Sequence, residues 1–241
     1  MVEISIKAEE IANILHLPIT NSLLLSLTIL FFFLIFGIFY NNYLSRTNSL
    51  INVFIRFCLK GLYTLFESIL GSKTKGIFPF LGALFIFIIF SNWAGLLPGV
   101  GSILIAGHEH HEKFPILRAP TADLNTTFAL AIFAVVAIQY YGFKYLGWNY
   151  LKKYINFTNP IMFFIGILEI VSELSKVMSF SFRLFGNIFA GEVLLLVVAT
   201  LVPVLASTPF LFLEVFVGLI QALVFSMLTA VFLSAATANH H

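Results

Sequence analysis

The sequence predicts an all-α, polytopic membrane protein of about five or six hydrophobic helices, the last two forming a long, tilted helical hairpin. Three observations carry that expectation. Of 241 residues, 60% are hydrophobic and only 10% charged, which argues against a soluble enzyme core. Several apolar runs reach the roughly 20 residues that a helix needs to cross about 30 Å of hydrocarbon. The stretch 161–202 has no proline and only three glycines, Gly166, Gly186 and Gly191, over about twice that spanning length.

The elements follow in order. Residues 1–18 read as a short amphipathic lead-in closed by Pro18. No cleavable signal peptide is expected, because the lead-in is mixed and acidic and the first apolar run is long enough to span. Leu23 to Tyr40 is that first span. Asn48 to Leu70 carries Arg56, Lys60 and Glu67 beside apolar residues at helical spacing, so it reads as a surface helix or a packed re-entrant segment. Ile77 to Leu97 is the second span, with Trp93 as an interface anchor. A polar loop over 99–121 leads to a third span from Ala122 to Tyr145, and a basic, aromatic loop runs from Trp148 to Pro160. The long helix follows, then a turn at Pro203 to Pro209 and a final helix from Phe210 to Ala236. The whole reads as one membrane domain, 1–241. It comprises N-terminal helices (1–98), an outer loop (99–121), the third span with an inner loop (122–160), and an ion-pathway hairpin (161–241).

Basic residues set the orientation. Arg46, Arg56, Lys60, Lys73 and Lys75 lie between the first two spans, and Lys144, Lys152 and Lys153 follow the third. Both groups should face the cytoplasm. The N-terminus and the 203–209 turn are then outside and the C-terminus inside.

Ionisable residues within a membrane helix are costly, so they mark ion or proton pathways by default. The long helix carries Glu169, Glu173, Lys176, Arg183, Asn187 and Glu192. Successive spacings of four, three, seven and four from Glu169 to Asn187 return to one helical face. Glu192, nine residues past Arg183, faces the other way. Glu173 and Lys176 are spaced for a salt bridge that merely glues a bundle. Arg183 has no acid three or four residues away, so its counter-ion comes from elsewhere.

Across the hairpin, Glu192 and Glu214 differ by roughly one turn in depth, and Gln221 shares the face of Glu214. An outer group, Glu192 with Glu214, is thus separated by Arg183 from an inner group, Glu169 with Glu173. Two acidic groups at different depths with a fixed cation between them read as two half-pathways. Asp123 and Asn125 head the third span, where helix capping competes with a water-accessible mouth as their role. The cluster His108-Glu109-His110-His111-Glu112 lacks helical spacing for zinc and reads as a solvated loop, so no metal site is expected. His240 and His241 read as a frayed end. The single cysteine, Cys58, offers no internal disulfide, and no cofactor is implied.

Phe182-Arg183-Leu184-Phe185-Gly186-Asn187-Ile188-Phe189-Ala190-Gly191-Glu192 resembles the signature of the a subunit of F-type ATP synthases. Asn159-Pro160, Leu168-Glu169, Leu174-Ser175-Lys176, Asp123 to Thr127 and Leu219 to Ala222 match that family in order and spacing. The resemblance covers the chain from Phe78 onward. It implies a rotating ring of c subunits with membrane-embedded carboxylates, peripheral-stalk b subunits, and the remaining synthase subunits as partners. It also implies a non-catalytic, proton-translocating stator subunit in a bacterial inner membrane. By resemblance, Asn187, Glu192, Glu214 and Gln221 line an outer half-channel and Glu169 an inner one, with Arg183 between them. Many family members carry histidine where this chain has Glu214, so here two acids face each other and are expected to share a proton.

Two rival classes leave different traces. An ion-coupled secondary transporter usually shows internal repeats and broken helices, and neither is evident. A membrane-embedded enzyme needs a nucleophile–base pair or metal constellation within the bilayer, for which only the loop histidines qualify by type.

Overall fold

The computed structural model describes residues 9–14, 17–43, 49–97, 100, 104–106, 113–151, 154, 160–201 and 207–238. The His108–Glu112 cluster, Lys152, Lys153, residues 202–206 of the outer turn and the terminal histidines lie outside them. Among the described residues, five helical stretches are long and apolar enough to cross a membrane. They are α1 (Asn21–Asn42), the pair α2 (Leu50–Leu70) and α3 (Thr74–Ala94) taken as one stretch, α4 (Leu124–Leu146), α6 (Pro160–Leu201) and α7 (Ser207–Thr237). A short α5 (Trp148–Leu151) sits between α4 and α6.

Among the described residues, two small departures from the all-helical expectation occur, both at the end expected to face outward. The described part of the lead-in pairs β1 (Glu10–Ile14) with β2 (Leu17–Thr20), a β-hairpin in place of the expected amphipathic segment; residues 1–8 lie outside the described residues. Within the outer loop, β3 (Leu104–Ala106) pairs with β4 (Lys113–Pro115). The hairpins meet where the Asn21 amide donates to the Pro115 carbonyl at 3.3 Å. Alternating Ala, Ile and Leu in so short a segment carries too little periodicity to distinguish strand from helix.

Local chemistry sets the helix ends. Thr20 and Ser49 accept the backbone N–H of Leu23 and Asn52, capping α1 and α2. Gly71 and Gly147 take positive φ, at 57° and 59°, to end α2 and α4. Proline opens α6 at its first residue, where no backbone donor is missed, and Pro209 sits harmlessly in the first turn of α7. The final helix therefore starts three residues before its expected position at Phe210.

The protein core is a bundle of α2, α3, α4, α6 and α7, with α6 packed on α4 and α7. Phe180 and Leu184 of α6 bury against Ala131, Ala134 and Val135 of α4 and against Ala222 and Phe225 of α7. Phe180 and Phe225 stack at 4.8 Å. A second cluster at the inner end joins Phe66, Ile77, Leu81, Ile138 and Leu233. Here the Lys73 ammonium caps the Thr237 carbonyl and lies 5.5 Å above the Tyr145 ring, which fixes the last turn of α7. Most of the apolar surface of α6 faces outward, including Phe163, Phe164, Leu168, Val171, Leu174 and Phe182.

Candidate functional site

The 42 residues of α6 extend about 63 Å at the usual helical rise, twice the hydrocarbon thickness. Its charged groups therefore sit at well-separated positions. Arg183 is about 21 Å along the axis from Glu169 and about 14 Å from Glu192.

Arg183 lies on the exposed apolar face. Its nearest polar partner is the Ser179 hydroxyl, 3.4 Å away one turn earlier, and among the described residues no carboxylate pairs with it. The neighbouring Leu184 and Phe180 are buried in the bundle, so the helix is anchored while the guanidinium points away from it. A permanently charged group on a greasy outer face needs a counter-charge from another molecule.

Toward the outer end the hairpin closes on polar side chains. The Asn187 amide donates to the Gln221 carbonyl oxygen at 2.8 Å, joining α6 to α7. One turn further out, the Glu214 carboxylate packs directly against the backbone at Gly191, where any Cβ would collide with it. Glycine at 191 thus leaves room for the Glu214 carboxylate against α6, within electrostatic reach of Glu192. The Glu192 carboxylate in turn lies 4.0 Å from the Arg118 guanidinium. Several side-chain atoms in this half of the bundle are buried without a partner among the described residues: Ser91 Oγ, Asn92 Oδ1, Thr121 Oγ1, Glu214 Oε1 and Gln221 Nε2.

Helix α3 holds the outer half of α7 in place. The Asn92 amide donates to the Gly218 carbonyl at 2.9 Å, and the Trp93 indole N–H donates to the Val215 carbonyl at 3.0 Å. Trp93 thus works between helices, a role beyond the interface anchor its sequence position indicated. Asp123 is buried and caps α4, accepting from the Asn125 N–H at 3.2 Å, from Thr126 at 3.1 Å and from Ser22 of α1 at 2.8 Å. Capping is therefore observed for Asp123, while the Asn125 side chain is exposed.

The inner end is arranged differently. Lys176 donates to Glu173 at 2.6 Å, the intrahelical bridge that their spacing allowed, and the lysine also lies 4.6 Å above the Phe232 ring. The hydroxyls of Tyr150 and Tyr154 converge on Gln139 at 2.7 and 2.8 Å, and Tyr154 approaches Glu173 at 3.5 Å. Burial, then Tyr150 and the charge of Glu173, hold the Tyr154 phenol above its ordinary pKa, so it remains a proton donor. The backbone of Tyr154 packs against Gly166 of α6. Glu169 is half-buried one turn before Glu173.

The structure thus brings together Asn187 with Gln221 and Glu192 with Glu214, and leaves Arg183 and Glu169 apart from them. Sequence reasoning missed Arg118, Ser91, Asn92 and Thr121. Ser91 and Asn92 were visible as polar residues at the end of an apolar span. Arg118 had no such signal, being a loop cation that only the tertiary fold carries to α6.

Fold and site together define an integral membrane protein whose longest helix carries a fixed cation between two polar regions. The family model described as ATP synthase A chain matches residues 22–234, and the chain belongs to that family, the a subunits of F-type ATP synthases. It is accordingly a proton-transport subunit that acts within the ATP synthase complex, in a family of non-catalytic membrane channel subunits.

Proposed function

We propose that this subunit supplies two offset proton half-pathways to the carboxylates of a rotating c ring, with Arg183 as the fixed charge between them. One observation above all supports this: Arg183 is held by a buried helix face, yet its guanidinium is exposed and lacks a carboxylate partner among the described residues. A carboxylate passing on a ring would meet that charge in its ionised form. Being protonated in essentially any environment, arginine also repels a proton moving straight from one half to the other.

In this reading Glu192, Glu214, Asn187 and Gln221 form the outer half-pathway. The partnerless buried atoms of Ser91, Asn92, Thr121, Glu214 and Gln221 support it, because buried polar groups need hydrogen bonds and water can supply them. Asp123 and Asn125 stand near its mouth. Glu169 serves the inner half-pathway. The exposed apolar face of α6 meets the ring, and b subunits of the peripheral stalk hold the subunit against rotation. The membrane is a bacterial inner membrane. Each proton crossing gains about 2.3 kcal/mol per 100 mV, which the ring converts to rotation.

The test is proton-driven ATP synthesis in vesicles carrying Arg183→Ala, with assembly of the complex measured alongside. Synthesis should vanish in an assembled complex. Normal synthesis there would make the arginine structural. A secondary transporter, the rival class, would instead move its substrate when purified alone.

A further inference from the structure

We propose that Arg118 is a positioning residue for proton uptake, supplying the fixed counter-charge to the Glu192–Glu214 carboxylate pair. This rests on the outer-pathway reading of those two acids. Arg118 comes from the segment between β4 and α4, and its side chain is only 11% exposed. That segment is pinned from several sides. Ala119 and Ala122 bury against Ile188 of α6, and Gly95 at the end of α3 gives way to Ala119, where a Cβ would collide. Asp123, five residues on, is tied to Ser22 of α1. The guanidinium is therefore delivered to α6 by a rigid support.

Its distance is informative. At 4.0 Å from Glu192 Oε2, the Arg118 Nε is within reach of strong attraction but beyond hydrogen-bond length. A bidentate clamp would occupy the carboxylate oxygens. Here they stay available to a proton.

Charge counting gives the same role. With Glu192 and Glu214 both ionised, Arg118 leaves the trio at net −1, and one proton makes it neutral. Without Arg118 the same states would carry −2 and −1, which a half-buried site tolerates poorly. Among the described residues no other cation bridges Glu192 or Glu214. Glu192 stands on α6 and Glu214 on α7, and Asp123 at the head of α4 is engaged in capping. Helix α3 contributes the uncharged Ser91 and Asn92, and α1 contributes Ser22.

The test replaces the permanent cation by a titratable one in vesicles carrying the whole complex. ATP synthesis by Arg118→His is expressed relative to the unsubstituted complex at each outer pH, which removes the change in driving force. The ratio should fall at least fivefold between outer pH of about 5.5 and 7.5, as histidine loses its charge around its ordinary value of about 6.5. Arg118→Lys should give a ratio independent of pH. A flat ratio for Arg118→His would overturn the proposal, because a packing role does not titrate. A second measurement covers poor assembly: Arg118→Gln with Glu192→Gln should be no worse than Glu192→Gln alone. Multiplied losses, or a double variant that fails to assemble where Glu192→Gln succeeds, would also overturn it. Full synthesis by Glu192→Gln would instead sink the outer-pathway reading itself.

Discussion

The two ends of the α6–α7 hairpin are built from similar residue types and solve opposite problems. The inner end pairs one acid, Glu173, with one cation, Lys176, and surrounds them with Gln139 and two tyrosine hydroxyls. The outer end sets two acids, Glu192 and Glu214, against one cation among the described residues, Arg118; buried polar atoms without a partner there occur at Ser91, Asn92, Thr121, Glu214 and Gln221, against Glu173 and Gln139 at the inner end. A balanced pair on one helix is a strut. An unbalanced group spread over three elements retains chemical capacity, because a proton can join or leave it without stranding a lone charge. An acidic residue in the membrane is thus not by itself a pathway residue. The inner acidic group expected from sequence divides accordingly, with Glu173 serving structure and Glu169 left as the inner-pathway candidate.

The strongest way to break that contrast is at the inner pair. Glu173→Leu should destabilise the subunit by about 3 kcal/mol or more, because it strands a largely buried lysine, whereas Glu173→Leu with Lys176→Met should recover most of the loss. Thermal dissociation of the assembled complex measures both. If the double variant stays as unstable as the single one, the strut assignment is wrong. A smaller effect belongs to Gly191→Ala, where the new methyl group must push the Glu214 carboxylate aside at about 1–3 kcal/mol. The same assay, with synthesis rates, should show both stability and outer uptake reduced. The smallest effect is at Asp123. Asp123→Asn keeps one acceptor oxygen for the Asn125 N–H but loses the oxygen that accepts from Ser22 and Thr126, and should cost about 1 kcal/mol, against about 2 kcal/mol for Asp123→Ala. A large loss of synthesis in Asp123→Asn, with no greater loss of stability, would add a pathway role to the cap.

Much of this architecture was legible from residues alone, for physical reasons. Uninterrupted apolar length gave the spans, since backbone groups in hydrocarbon must be paired within a helix. Helical spacing turned Arg183 away from Glu192, and hairpin geometry put Glu214 beside it. What the chain did not reveal depends on contacts distant in sequence. The Arg118–Glu192 approach joins residues 74 positions apart, and Ser22 reaches Asp123 across 101. Neither leaves a periodic trace. The short β-hairpins fell below the length at which alternation is readable. The choice between glue and pathway at Glu173 needed the side-chain geometry, since spacing allowed both.

Side-specific access tests the two-half-pathway claim most directly. In the intact complex with Cys58→Ser, a small membrane-impermeant thiol reagent would be applied from either side to Glu192→Cys or to Glu169→Cys, and labelling read by mass. The thiol at 192 should react only from the outer side, and the thiol at 169 only from the inner side. Labelling of both positions from the same side would contradict the account, because a continuous path past Arg183 would then replace two separate halves.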